Sequence, residues 1–159
     1  MTSTLLHDNL RATAERTPTR PAFRCGAAEV DYQTLDVISN QIARMLHQCG
    51  AKKGDRVGIL LDRSLEVAFA VYGTLKAGVV YVPIDPLSPA ARIQHIVENC
   101  GITHLITAPN KARFIKDSIQ SLDHVRYVLG CDTPQWETSR EPNLPHFISW
   151  SEIRDLAQS

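Results

Sequence analysis

Leu75-Lys76-Ala77-Gly78-Val79-Val80-Tyr81-Val82-Pro83-Ile84-Asp85-Pro86 is the stretch that decides the fold of this chain. Its first part reads as the end of a helix: Lys76 suits the negative pole of a last turn, and Gly78 supplies the left-handed stop. Residues 79–84 then run apolar without alternation, the pattern of a strand covered on both faces. Pro83 cannot donate to a ladder, so it belongs at the strand's end. A helix, a glycine and a buried strand in direct succession make the joint of a βαβ unit.

The same units appear on either side. Upstream, Val57-Gly58-Ile59-Leu60-Leu61 is another unbroken apolar run, and Ser64 is placed to cap a helix over 65–77. That helix is apolar nearly all round, which predicts a buried one. Downstream, Ser88 and Pro89 read as N-cap and N1 of a helix whose inner face is Ile93, Ile96, Val97 and Cys100. A strand over 104–107, a weaker helix over 114–122 and a strand over 125–129 follow. The strand starts after Val57 recur about 22 residues apart with a helical pattern in each gap, which predicts an α/β fold with a mostly parallel sheet and helices on both faces.

Nearer the amino terminus the pattern changes. Leu6, Leu10 and Ala14 share one face of a helix over 5–16, ended by Thr17-Pro18. Residues 22–31 read as a short hairpin around Gly26. Asp31 can cap a helix with the apolar stripe Leu35, Ile38, Ile42, Met45, Leu46 and Cys49, stopped by Gly50. Beyond Gly130 the periodicity fades: 132–145 carries three prolines and reads as a loop. The division expected is an α/β unit over 1–131, a Pro-rich linker over 132–148 and a short terminal helix over 149–159.

Composition excludes several classes of function. Seventeen basic residues balance 17 acidic ones, so no basic footprint for nucleic acid or an anionic membrane is expected. The longest apolar run, 67–72, is far short of the ~20 residues that span a bilayer, and the start lacks a basic segment followed by an apolar one. The four cysteines are scattered, with no Cys-x-x-Cys pair and no zinc spacing to a histidine. Free thiols in or near the core, and a cytoplasmic location, are the expectation.

Chemistry-bearing motifs are few. No G-x-x-x-x-G-K-[ST] loop and no G-x-G-x-x-G turn is present. The first parallel strand leads into Leu61-Asp62-Arg63-Ser64, and the side chains of Arg63 and Leu65 would keep a pyrophosphate off the backbone. Gly54-Asp55 reads as a turn feeding that strand. Ser64 lies outside any G-x-S-x-G elbow and reads as a cap; the six histidines show no metal-binding spacing. Asp62 and Asp85 are the weak site candidates, because each lies just past the carboxyl end of a parallel strand, where open α/β sheets hold their ligands. Each reads more readily as a helix-capping or loop-pinning carboxylate. No catalytic residue and no metal ligand is expected.

The opening stretch also resembles a core motif of the amino-acid adenylation domains of peptide synthetases, written much like L-K-A-G-x-A-Y-V-P-[LI]-D-P. Other segments resemble the family in the same order. Val30–Leu35 resembles its first motif, Gly54-Asp55-Arg56-Val57-Gly58-Ile59 its G-D-x-V-[GA]-[IV] segment, and Asp62-Arg63-Ser64-Leu65-Glu66 its [ED]-R-S-x-E segment. One departure is local: Thr34 stands where the family often has the Glu of a capping box.

The resemblance is to the N-terminal part of AMP-forming adenylate-forming enzymes, a superfamily that includes acyl-CoA synthetases. It implies a parent reaction in which a carboxylate attacks the α-phosphate of Mg·ATP to give an acyl-adenylate and pyrophosphate. Phosphopantetheine on a carrier protein, or coenzyme A, then accepts the acyl group. It also implies that the chain stops short of the Ser/Thr/Gly-rich phosphate loop. This segment is therefore expected to bind neither ATP nor Mg and to be inactive scaffold alone. Its expected partners are the remainder of the enzyme, in cis or in trans, and a carrier protein where that is the acceptor, with neither nucleic acid nor membrane. Amino-acid activation is favoured over acyl-CoA synthesis on Asp62-Arg63-Ser64 and Tyr81–Asp85. The alternatives are an acyl-CoA synthetase fragment, a non-catalytic module completing a split ligase, and a flavodoxin-like module binding a ligand at the strand ends.

Overall fold

The computed structural model describes residues 5–111, 114–115, 117, 124–133 and 144–156. The chain opens with α1 (Leu6–Arg16) and an antiparallel hairpin of β1 (Pro21–Cys25) and β2 (Ala28–Asp31). It continues through α2 (Tyr32–Gln48), β3 (Arg56–Ile59), α3 (Leu65–Lys76), β4 (Val80–Pro83), α4 (Ala90–Cys100) and β5 (His104–Ile106). Then come β6 (Tyr127–Leu129), β7 (His146–Ile148) and α5 (Trp150–Asp155). The expected helix over 114–122 falls largely outside the described residues.

Strands β3 to β7 form one sheet in the order β4-β3-β5-β6-β7, every pair parallel. Alternate residues face opposite ways along a strand, and the packing divides accordingly. Val57, Ile59, Ile106 and Leu129 join α2, α3 and α5 in one core; Leu105, Val128 and Phe147 join Ile93 and Val97 of α4 in the other. The expected α/β architecture, a parallel sheet with helices on both faces, is what the chain adopts.

Local chemistry explains most of the elements. Asp31 caps α2 by accepting from the Thr34 amide at 2.7 Å, and the whole predicted stripe from Leu35 to Cys49 is buried. Lys76, at the end of α3, is drawn into the α2 surface: its ammonium donates to the Asp36 carboxylate at 2.6 Å and to the Asn40 side-chain oxygen at 2.9 Å. Burial pulls its pKa down, opposed by the Asp36 carboxylate. Gly130 turns the chain after β6 with φ +87°, and a Cβ there would sit 2.2 Å from the Thr107 carbonyl oxygen. No disulfide is needed: Cys49 and Cys131 are buried free thiols, and Cys25 and Cys100 are half-buried ones.

Several sequence expectations are corrected. β4 is an edge strand, like β7 at the other side of the sheet, and Val80 and Tyr81 are 50% and 39% exposed. Its apolar run is therefore not covered on both faces. The Pro-rich stretch 132–148 is not all linker, because its last three residues are β7, paired to β6. Helix α4 is capped at Pro89, whose carbonyl accepts from Arg92 and Ile93, while Ser88 closes a turn on the Asp85 carbonyl. Ser64 takes the N-cap conformation of α3 without a side-chain cap bond. On α1 only Leu10 is buried, and Leu6 is 58% exposed. No helix among the described residues is long and apolar enough to cross a membrane.

Candidate functional site

The strand order places the topological switch between β3 and β5. The chain leaves β3 for β4 on one side, then returns across it to β5 on the other. This is the flavodoxin-like doubly wound order, in which the crevice beyond the carboxyl ends of the two strands at the switch is the natural ligand position.

The mouth of that crevice is built by short-range bonds. Thr107, buried just after β5, donates its hydroxyl to the Leu60 carbonyl at 2.8 Å, while the Leu60 amide donates to Ile106 at 2.9 Å. A single 3-10 turn, Pro109–Lys111, then brings Asn110 and Lys111 over the residue that follows β3's apolar run. Lys111 donates to one oxygen of Asp62 at 2.8 Å, and Asn110 to the other at 3.2 Å. The hydrogen bond from Lys111 holds the Asp62 carboxyl below the usual carboxylate range, with partial desolvation opposing it. Asp62 is thus a fixed anion with both oxygens engaged. Its side chain is nonetheless 47% exposed at the mouth of the crevice.

Asp85 has a different task. Its side chain accepts from the Leu87 amide at 2.9 Å and its carbonyl from Ser88 at 3.1 Å, which pins the turn between β4 and α4. The two aspartates follow adjacent strands but share no hydrogen-bond partner. Sequence reasoning placed both at strand ends and missed Asn110 and Lys111. Their approach to Asp62 depends on the β3–β5 register, which no local motif announces.

Other reactive groups are disarmed. The Ser64 hydroxyl makes no hydrogen bond among the described residues. Burial pushes the Cys49 thiol up to about 11, and burial together with Asp132 raises Cys131. Neither is a thiolate at neutral pH. His104 is buried, with its two ring nitrogens on the Cys49 carbonyl at 3.0 Å and the Thr103 hydroxyl at 2.8 Å. Its ring lies at the amino-terminal end of β5, away from the crevice mouth.

Comparison with known proteins supplies what the local chemistry does not. The family of AMP-binding enzymes matches residues 10–152, nearly the whole described chain. The chain belongs to that family. Tyrocidine synthase 2 of Brevibacillus parabrevis is 34% identical over 145 residues, 89% of this chain and 4% of that protein. Among solved structures, the coronafacic acid ligase of Pectobacterium brasiliense superposes with a TM-score of 0.81 over 96% of this chain and 29% of that one, at 21% identity. The apo structure of MbtA from Mycobacterium smegmatis gives 0.76 at 28% identity, covering 97% of this chain and 27% of that one. The chain thus spans a small part of each relative. The resemblance drawn from Leu75–Pro86 and its flanking segments is borne out: this is an AMP-binding domain sequence homologous to those of peptide synthetases, with the fold of adenylate-forming ligases.

Proposed function

We propose that the chain is the N-terminal portion of an AMP-forming ligase that activates a carboxylic acid, with amino-acid adenylation favoured over acyl-CoA ligation, and that alone it is inactive scaffold. The observation that carries this reading is the family match over residues 10–152 combined with 34% identity to a peptide synthase. The family implies ATP and Mg in the parent reaction, with phosphopantetheine or coenzyme A as acceptor. The residues at the strand ends do not fit a Mg·ATP cradle by themselves. Asp62 is taken by Lys111 and Asn110, Asp85 by a backbone amide, and Arg63 and Leu65 put side chains where a pyrophosphate would need bare backbone. No step through the nucleotide is therefore assigned to these residues.

A second reading shares the same parent, with the remainder of the ligase arriving as a separate chain. The exposed β4 edge favours it, since a parallel strand left uncovered invites further structure. One pair of measurements tests both. The purified chain should not exchange pyrophosphate into ATP with any amino acid or acyl carboxylate. Nucleotide titration should be unchanged by Asp62→Ala and Asp85→Ala. Exchange by the chain alone would overturn the scaffold reading; binding lost in either variant would instead support a ligand site at the strand ends. Restored exchange on adding a chain with the missing motifs would select the split form.

A further inference from the structure

We propose that the cleft between the β1–β2 hairpin and the first turns of α3 binds an amphipathic anion: an apolar chain or ring carrying a carboxylate or phosphate head. The cleft has a volume of about 360 Å³, within the ~300–1,000 Å³ usual for small-molecule sites. Its floor is apolar, formed by Leu61, Leu65, Val67, Ala68 and Val71, and it is walled by Phe23 packed edge-to-face on Tyr72 at 6.3 Å. A floor of that kind favours burial of ligand hydrocarbon.

The polar part of the lining is one-sided. It consists of Arg24, Arg63, Ser64, Tyr72 and the Cys25 thiol, with no carboxylate side chain among them. Arg24 is neutralised by Glu29. Arg63 is not: its guanidinium makes no hydrogen bond or ion pair among the described residues, although its own carbonyl accepts from the Cys25 thiol at 3.5 Å and so ties the two walls together. An unpaired guanidinium presents a fork of donors that suits carboxylate or phosphate oxygens. The hydroxyls of Ser64 and Tyr72 add donors without adding negative charge. Apolar depth below and an unopposed cation above select an amphiphile with an anionic head and reject an amine.

Residues 61–64 are the segment leaving the carboxyl end of β3, so the cleft lies beside that end of the sheet, on the hairpin side and apart from the β3–β5 switch. The opposite side of that segment, at Asp62, is closed by Lys111 and Asn110. The inference stands apart from acid activation, because the binding is read on this chain alone and its failure would leave the family reading untouched.

Calorimetric titration of the full chain with octanoate, octyl phosphate, octanol and octylamine tests it. One of the two anions should saturate a single site, with octanol and octylamine at least tenfold weaker, and the preferred anion identifies the head group. Arg63→Gln, an exposed substitution, should weaken that anion by about tenfold to a hundredfold, the worth of a charge-assisted hydrogen bond. It should not change the melting temperature of the free chain. Val67→Phe should weaken the anion and octanol alike, by filling the apolar floor. The proposal is overturned if neither anion binds saturably to the folded chain, if octanol binds as tightly as the anions, or if Arg63→Gln leaves both affinities intact.

Discussion

His104 shows how a single residue couples the sheet to pH. Its ring stacks on Tyr127 at 5.2 Å, which stacks on His146 at 5.5 Å, so three rings in lateral register run across β5, β6 and β7. The His104 side chain is nearly inaccessible, and one ring nitrogen must donate to the Cys49 carbonyl, which fixes the neutral tautomer. Burial is the main cause holding its pKa below the ordinary 6.5; the Cys49 carbonyl and Asp55 oppose it, and Arg126 adds to it. A base with a depressed folded pKa takes up its proton more readily when unfolded, so it favours unfolding as pH falls below 6.5 and is without effect above. Urea unfolding should therefore show stability falling between pH 7.5 and 5.5, with a smaller fall in His104→Gln, which keeps a donor for Cys49 but cannot titrate. An identical pH slope in the two proteins would remove His104 as the cause.

At the scale of elements, the contact that orders the amino-terminal half is α2 against α3. It is close because Gly73 has no side chain: a Cβ built there would lie 2.5 Å from Ile42 Cγ2 and 2.6 Å from Ile42 Cβ. Gly73→Ala gains up to ~1 kcal/mol of helix propensity, yet overpacking of this kind costs about 1–3 kcal/mol. The clash involves the branched carbon itself and not a flexible tip, so destabilisation by about 1 kcal/mol is the expected net. It should appear as a lower urea midpoint at unchanged m value. Ile42→Ala, costly alone, should cost less in the Gly73→Ala background, a coupling that a double-mutant cycle reads directly. Helices such as α2 were legible because their periodicity and caps are local: Asp31, the buried stripe and Gly50 stand in the sequence in order. β7 was not legible, since His146-Phe147-Ile148 is too short to outweigh its prolines and is a strand only because β6 is beside it. Asp62 could be placed at a strand end from the βαβ rhythm, whereas its closure by Lys111 needed the register of β3 and β5.

For the molecule as a whole, the strand that identified the family is also the one left open. Adjacent residues on a strand point to opposite faces, and Val80 and Tyr81 are both partly exposed, whereas Val79 and Ile84 at the ends of the run are buried and Val82 packs on the second core, so the cover at this edge is partial. Leu87, 87% exposed in the turn beyond, extends the apolar margin. An apolar run reports that a strand is meant to be covered, but it does not say whether the cover lies within the same 159 residues. Among the described residues the interior strands β3 and β5 are covered more fully than β4. An unpaired edge of this kind pairs readily with another chain, so the isolated protein should self-associate with rising concentration. Val80→Lys with Tyr81→Lys should suppress that association while changing stability by no more than ~0.5 kcal/mol, the range for exposed sites. Sedimentation velocity over a concentration series, paired with urea unfolding of each protein, makes the measurement. A wild-type chain that stays monomeric throughout, or a double-lysine variant that unfolds at a much lower midpoint, would show that the edge is already complete.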